Sequence, residues 1–295
     1  MECICLKRHH LPERLQHIAY PPPQLYCTGA LELLEQPGIA VVGSRALTSY
    51  GERACSQLVQ DLVNAGFVII SGLATGIDAV AHRAALACGG KTIAVLGTGL
   101  DESVLFPAQH RSLARSITQR GGLIVTEYEA LVAAQRWRFP ARNRIIAGLS
   151  LGVVVVEASQ KSGALLTAKF ALEANREVFA VPGSIFSTRS TGTNQLIKQG
   201  ATLVSSAADI FAEFIGVLPV PLTLPFSTAV EAQLTITQPI QKEIVATLAE
   251  QPNTAEKLAQ TLQLSATEIM VHLTELEIGG IVRKNREQNY EVSHS

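Results

Sequence analysis

Short loops that follow apolar runs carry the residues of this sequence whose chemistry suits anion binding. The first loop contains Gly43, Ser44 and Arg45. A glycine lets backbone N–H groups approach an anion closely, and an arginine guanidinium can donate two parallel hydrogen bonds to a phosphate. A helix predicted from about Ser49 would add the partial positive charge of its N-terminus. The pattern predicts a phosphate-binding turn, although three residues of this kind do not by themselves specify a ligand.

A second turn repeats this design. It reads SGLATGID from Ser71 to Asp78 and is followed by His82. Asp78 and His82 would face the same helix start, and two interpretations of His82 stay open. It is either a histidine satisfied on a helix face that shapes the loop, or a catalytic base. The sequence pairs it with no obvious Ser or Cys nucleophile, which favours the first interpretation.

A third loop, GTGLD at 97–101, precedes Phe106 and Pro107, but the stretch RWRFPARNR at 136–144 is the most informative. This stretch interleaves four arginines with two aromatic residues. Single strands are bound by this combination, because guanidinium groups hold phosphates while a ring stacks on a base, worth about 1–3 kcal/mol per base. Core packing is an equal alternative for Trp137.

A fourth loop and its neighbours complete the same predicted sheet edge. Lys161, Ser162 and Gly163 follow an apolar run and open a helical pattern, so Ser162 and Gly163 would present backbone donors to a phosphate. The segments VPGS and GTN come next along the chain, with Arg189 and Lys198 nearby. Several anion-suited turns at one edge indicate a groove that follows a phosphate backbone, rather than a pocket for one small molecule.

The elements that must position these loops are short runs rich in Val and Ile, each followed by a turn and a helical pattern. Continuous apolar runs are typical of strands buried on both faces of a parallel sheet. We therefore predict an α/β fold with a doubly wound, Rossmann-like parallel sheet of about seven strands. The runs lie at 39–43, 67–70, 92–96, 123–126, 152–158, 177–181 and 201–204.

Composition shifts divide the chain into four predicted segments. Three prolines and little helical periodicity after Val217 indicate a linker. The predicted organisation is a short N-terminal leader (1–19), a Rossmann-like single-stranded-DNA-binding domain (20–216), a linker (217–238) and a small C-terminal winged-helix-like domain (239–295).

The last segment resembles a winged helix. A helix is predicted at 239–250, Thr254 and Ser265 would cap two more, and a two-stranded wing would turn at 285–288. The third helix carries glutamates and no Lys or Arg before Arg283. That composition makes it a poor reader of duplex DNA, so protein contact or structural support is at least as plausible.

Composition excludes several other classes of protein. The 295 residues are 47% hydrophobic, with no apolar run long enough for a membrane span and no signal peptide at the start, so we expect a cytoplasmic protein. The five cysteines form no CxxC pair, which suits reduced thiols. Cys3 and Cys5 with His9 and His10 could in principle bind a metal, but we expect no metal and no cofactor, because structural zinc sites draw on two well-separated ligand pairs.

Charge is uneven along the chain. The net charge is only −1, but Lys and Arg outnumber Asp and Glu between 136 and 200, and the reverse holds between 201 and 270. The basic segment indicates either a nucleic-acid surface or ordinary solvated helix faces.

Taken together, the segments GSR, SGLATGIDAVAH, FPARNRIIAGLS, SGALLTAKFALEANREVFAVPG and GTNQLIKQGA resemble the DNA-processing protein A (DprA/Smf) family. The resemblance covers about 20–216, and many members carry a small C-terminal domain similar to the one predicted here. It implies a non-catalytic protein that binds single-stranded DNA in a basic pocket, forms a homodimer, and protects incoming strands and helps to load the RecA recombinase during natural transformation. Family members often have a helical domain before the Tyr20-Pro21 stretch, which this chain does not show.

Carried onto this sequence, the resemblance and the loop chemistry nominate twelve DNA contacts. We expect Arg45→Ala and Arg142→Ala to weaken binding and flatten its salt dependence, and Phe139→Ala to weaken binding with little change in that dependence. The nominated residues are Gly43, Ser44, Arg45, Arg136, Phe139, Arg142, Asn143, Arg144, Lys161, Ser162, Gly163 and Lys198.

Three alternative functions fit the sequence less well. A nucleotide phosphoribohydrolase would need a PGGxGTxxE-type loop, but the comparable strand end reads PGSI at 182–185 and lacks the glutamate. A dinucleotide dehydrogenase would need GxGxxG, which neither 43–45 nor 97–99 completes. A transcription regulator would need a less acidic recognition helix than the one predicted.

Overall fold

The computed structural model describes residues 3–214, 239–262, 264–278, 281–285 and 289–292. The chain divides into two compact units, Met1–Leu224 and Pro225–Ser295. Each unit has its own hydrophobic core. The predicted linker at 217–238 lies outside the described residues.

The first unit is built on a nine-stranded sheet. Its spatial order is β1-β2-β6-β5-β4-β3-β7-β8-β9, in which β3 to β9 pair in parallel. From β3 the chain winds outward to β6 and then returns to the other side of β3 with β7, as in doubly wound folds. The strands are β1 (Ile4–Lys7), β2 (Gln24–Gly29), β3 (Gly38–Val42), β4 (Val68–Ser71), β5 (Thr92–Leu96), β6 (Leu123–Thr126), β7 (Gly152–Val155), β8 (Glu177–Ala180) and β9 (Thr202–Leu203).

All seven predicted strands are confirmed as β3 to β9, and so is the α/β class. In β3, Ile39 and Val41 enter one apolar core while Ala40 and Val42 enter another on the opposite face of the sheet. Burial on both faces explains the continuous apolar run, because neither face can carry polar side chains. Each fully buried Val or Ile side chain contributes about 1.5–3 kcal/mol to folding.

Helices cover both faces of the sheet. The helix predicted from about Ser49 begins at that residue. Thr48 caps it, because its side chain accepts a hydrogen bond from the Gly51 N–H at 3.1 Å. The helices are α1 (Glu13–Gln16), α2 (Ser49–Asn64), α3 (Ile77–Ala87), α4 (Arg111–Gln119), α5 (Arg138–Leu149), α6 (Gly163–Glu173), α7 (Thr191–Lys198) and α8 (Ala207–Ala212), with short 3-10 turns at Arg8–His10, Leu31–Leu34 and Ala108–His110.

The N-terminal segment differs from the predicted leader. Residues of β1 pair antiparallel with β2, which in turn pairs antiparallel with β6. Leu11 and Leu15 are buried in the core. The segment is therefore part of the first unit, and the sheet has two strands more than the predicted seven.

The second unit is a winged helix, as predicted. It contains α9 (Pro239–Glu250), α10 (Ala255–Leu262) and α11 (Ala266–Ile278), followed by the antiparallel strands β10 (Val282–Lys284) and β11 (Tyr290–Val292). Both predicted caps are confirmed. Thr254 accepts from the Lys257 N–H, and Ser265 exchanges hydrogen bonds with Glu268 as a capping box. The predicted turn of the wing lies mostly outside the described residues.

Within the described part of the chain, no helix combines the length and apolar character that a membrane span requires. In the same residues, no cluster of three or more His, Cys, Asp or Glu side chains is arranged to hold a metal ion.

Candidate nucleic-acid interface

A cleft of about 560 Å³ lies at the carboxyl ends of the parallel strands, and we call it the central cleft. It opens between the loops that follow β3 and β7, where the direction of winding reverses. Ligands of doubly wound sheets bind at this switch point. Nine of the twelve nominated residues line it: Gly43, Ser44, Arg45, Phe139, Arg142, Asn143, Lys161, Ser162 and Gly163.

The loop that carries Arg45 is anchored on both sides. The buried carboxylate of Glu157 accepts hydrogen bonds from the Thr48 N–H at 3.0 Å and from the Thr48 hydroxyl at 2.6 Å. On the other side, the Ile77 N–H donates to the Ser44 carbonyl at 3.1 Å. Gly76 permits this approach, because its φ is +81° and a Cβ there would overlap the Ser44 oxygen. Arg45 is thus an exposed side chain on a rigid loop.

The N-terminus of α6 forms the opposite wall. Ser162 caps the helix by accepting from the Ala164 N–H at 3.3 Å, and the Asn143 side chain donates to the Gly163 carbonyl at 3.3 Å. A Cβ at Gly163 would meet no heavy atom within 4 Å, so the backbone there is open to a ligand. A helix N-terminus with free approach suits a phosphate oxygen.

Arg142 also lines the central cleft, but it is only 3% exposed. Its Nη1 donates to the carbonyls of Gly72 and Val95, at the ends of β4 and β5, and its buried Nε has no partner. Burial lowers the pKa of Arg142 to about 10, against the opposing effect of Asp78. Arg142 therefore remains charged at neutral pH and ties α5 to the sheet.

Asp78 and His82 are also buried, beneath the second turn. Burial raises the pKa of Asp78, and the Arg142 charge opposes that shift. His82 Nδ1 lies 2.7 Å from the Thr92 hydroxyl, which itself donates to the Ile69 carbonyl. Thr92 must then accept from Nδ1–H, which leaves Nε2 unprotonated. Burial lowers the pKa of His82 to about 3, so the ring is neutral, and this geometry supports the loop-shaping interpretation.

Three nominated residues do not line the central cleft. Arg136 and Lys198 are exposed, Lys198 in the last turn of α7. Arg144 pairs with Glu127 at 2.5 Å and donates to the Tyr20 carbonyl at 2.8 Å, which occupies its guanidinium. Arg144 faces a different direction from Arg142, because residues two positions apart on α5 do not lie on the same face. Arg136 precedes α5, and Lys198 belongs to α7.

Trp137 is not a core residue, contrary to one of the two interpretations considered for it. Its side chain is 59% exposed. The indole N–H donates to the Gln135 side chain, and the Arg138 guanidinium lies 5.2 Å from the centroid of the indole ring.

Arg189 lines the central cleft but was placed by sequence only near the loop after β8. Its carbonyl accepts from the Ala158 N–H at 2.8 Å, which joins the loops after β7 and β8. The sequence could have nominated Arg189 as a cleft residue, because it is a basic residue in a loop at the carboxyl edge of the sheet. Among the described residues, neither Arg45, Lys161 nor Arg189 forms an ion pair with an acidic side chain. These three charges are available to an anion.

Comparison with known proteins identifies the family of this chain. A family model described as DNA recombination-mediator protein A matches residues 2–215, and one described as the DprA winged helix domain matches residues 228–285. The chain belongs to the DprA/Smf family. The resemblance stated from sequence is therefore confirmed.

Individual DprA/Smf proteins are similar over long stretches. Protein Smf of Synechocystis is 37% identical over 95% of this chain and 77% of its own length. The DNA processing protein DprA of Streptococcus pneumoniae is 48% identical over 69% of this chain and 71% of its own. Protein Smf of Escherichia coli is 40% identical over 92% and 74%, respectively.

Solved DprA structures share the fold over most of this chain. The Streptococcus pneumoniae protein matches with a TM-score of 0.68 and 44% identity, over 72% of this chain and 75% of that one. The Helicobacter pylori DNA processing protein A, described with a single-stranded DNA binding mode, matches with a TM-score of 0.66 and 30% identity, over 74% and 97%.

Proposed function

We propose that this DprA/Smf protein binds single-stranded DNA in the central cleft, protects incoming strands, and helps to load the RecA recombinase during natural transformation. The observation that carries the proposal is the convergence of Arg45, Lys161 and Arg189, without acidic partners among the described residues, beside the open N-terminus of α6. The DNA binding of the Helicobacter pylori relative supports the same ligand.

The cleft geometry favours capture over catalysis. Asp78 is the acidic residue among those that line the cleft, and its side chain is buried beside Arg142. His82 is fully buried and engaged with Thr92. Neither is placed to activate a nucleophile in the cleft, so we expect binding without bond cleavage.

The binding experiment is fluorescence anisotropy with a labelled oligo-dT and a duplex of equal length, over a salt series. We expect the single strand to bind preferentially and its affinity to fall with salt, because phosphate contacts release counterions. Arg45→Ala should weaken binding and reduce the salt slope by about one, the slope assigned to one phosphate contact. Arg83→Ala is the matched control, since Arg83 is exposed but outside the cleft. Absence of single-strand binding at low salt would overturn the proposal.

RecA loading and dimerisation need separate experiments. We expect the chain to speed RecA assembly on single-stranded DNA, and Arg45→Ala to lose this effect together with DNA binding. Analytical ultracentrifugation should show a homodimer. Subcellular fractionation should find the protein in the cytoplasm. A DNA-binding chain without effect on RecA would retain the binding proposal and reject the loading role.

A further inference from the structure

A smaller pocket lies beside the central cleft, and Arg45, Ala74 and Phe139 line both. We call it the side pocket. Its volume is about 120 Å³, well below the ~300–1,000 Å³ of pockets for drug-sized ligands. The space suits one flat ring. The remaining wall comes from Gly72, Thr75, Phe106 and Pro107.

The two aromatic rings of the side pocket differ in accessibility. Phe139 is half-buried, because the Arg45 guanidinium lies 5.9 Å from its centroid and Gly97 packs so closely that a Cβ there would be 2.9 Å from the ring. Phe106 is 51% exposed. The ring centroids are 5.5 Å apart with planes tilted by 53°, so the rings form a corner rather than a slot. Phe106 therefore offers the open face for stacking.

Arg45 lines two chemically different spaces. The central cleft holds Lys161, Ser162 and the N-terminus of α6, which suit phosphate. The side pocket is mostly apolar, and its polar side chains are those of Thr75 and Arg45 itself. A nucleotide has the same division, since its phosphate is charged and its base has an apolar face.

We infer that the side pocket binds one unpaired nucleobase of the captured strand, stacked on Phe106, while Arg45 holds the adjoining phosphate. This inference rests on the proposed function. Phe139 supports Arg45 and closes the corner, so the principal stacking surface is Phe106 rather than the residue nominated from sequence. With few hydrogen-bonding groups in its wall, the pocket accepts different bases, as stacking sites on single strands do.

The test compares oligo-dT with a fully abasic strand of equal length by anisotropy. Phe106→Ala should weaken oligo-dT binding about tenfold without changing the salt slope, because stacking releases no counterions. Binding of the abasic strand should be unchanged. Phe106→Tyr, which keeps a stacking ring, should retain wild-type affinity. Tyr20→Ala is the control for loss of an exposed aromatic residue, at 72% exposure and outside both spaces.

The outcomes separate this inference from the proposed function. If Arg45→Ala weakens oligo-dT binding while Phe106→Ala does not, the base pocket is wrong and the DNA-binding proposal stands. Equal losses on oligo-dT and on the abasic strand would show a structural effect of Phe106→Ala and would also overturn the inference. If the wild-type chain binds neither strand, the proposed function itself fails.

Discussion

Arg45 and Arg142 line the same cleft, but their guanidinium groups contact different partners. Arg45 is exposed and packs over Phe139, whereas Arg142 is buried and binds the carbonyls of Gly72 and Val95. From sequence, both were expected to act as phosphate contacts. The structure distinguishes an exposed arginine from a buried one that ties α5 to the sheet.

Arg142→Ala should therefore destabilise the fold in a way that Arg45→Ala does not. Removing the buried charge leaves two buried carbonyls without their donor, which costs about 1.5–3 kcal/mol of unfolding free energy or more. Arg45→Ala should change stability by less than about 0.5 kcal/mol, as exposed substitutions do. Urea denaturation measures both. Equal stability of the two variants would contradict the assigned difference.

His82 should make stability depend on pH. Its pKa is lowered to about 3 in the folded chain, whereas an unfolded histidine titrates near pH 6.5. Between these values the unfolded state binds a proton that the folded state does not, so the free energy of unfolding falls as pH falls, by up to ~1.4 kcal/mol per unit. Above about pH 6.5 the group has no such effect.

Comparing the stability of the wild type with that of His82→Gln separates the contribution of His82 from that of Asp78, because both chains contain Asp78. The pKa of Asp78 is shifted in the opposite direction. We expect the stability advantage of the wild type over the variant to shrink between about pH 7 and about pH 4.5 in urea denaturation. A constant difference across that range would show that His82 does not titrate as described.

At the scale of elements, a substitution at the N-terminus of α6 should change ligand binding without changing the stability of the free protein. A methyl group at Gly163 meets nothing in the free protein. Gly163→Ala should leave stability within about 0.5 kcal/mol of the wild type or raise it slightly, because alanine is the better helix former. It should nevertheless weaken single-strand binding by keeping phosphate from the backbone. Unchanged affinity would place the strand elsewhere in the cleft.

The parallel strands could be predicted because burial on both faces leaves a continuous apolar run, as in β3 and β7. The strands β1 and β2 could not be predicted in this way. β1 is mostly exposed and β2 alternates, since each is covered on one face at most. For the cleft, loop chemistry predicted Arg45, Lys161 and Ser162. The burial of Arg142 and the orientation of Arg144 depend on how α5 packs, which a linear pattern does not contain.

At the scale of the whole molecule, the cleft and the winged helix belong to separate compact units. Every cleft residue lies between Val42 and Arg189, and the two units have separate cores. A chain ending at Phe214 should therefore fold and bind oligo-dT with the salt slope of the full chain. Anisotropy of both chains, with Arg45→Ala in each, measures this. A truncated chain that folds but does not bind would assign part of the DNA site to the second unit.

The antiparallel pairing of β2 with β6 also has a consequence for protein synthesis. Tyr26 faces Thr126 across the sheet, so the N-terminal strands cannot be paired on that side until β6 has left the ribosome. At about 5–20 residues per second, this delay is roughly 5–20 s. Over that time the apolar side chains of Leu11, Leu15 and Leu25, which the finished core encloses, have no native cover. The N-terminal segment of the nascent chain is therefore open to chaperones and to aggregation until β6 has left the ribosome.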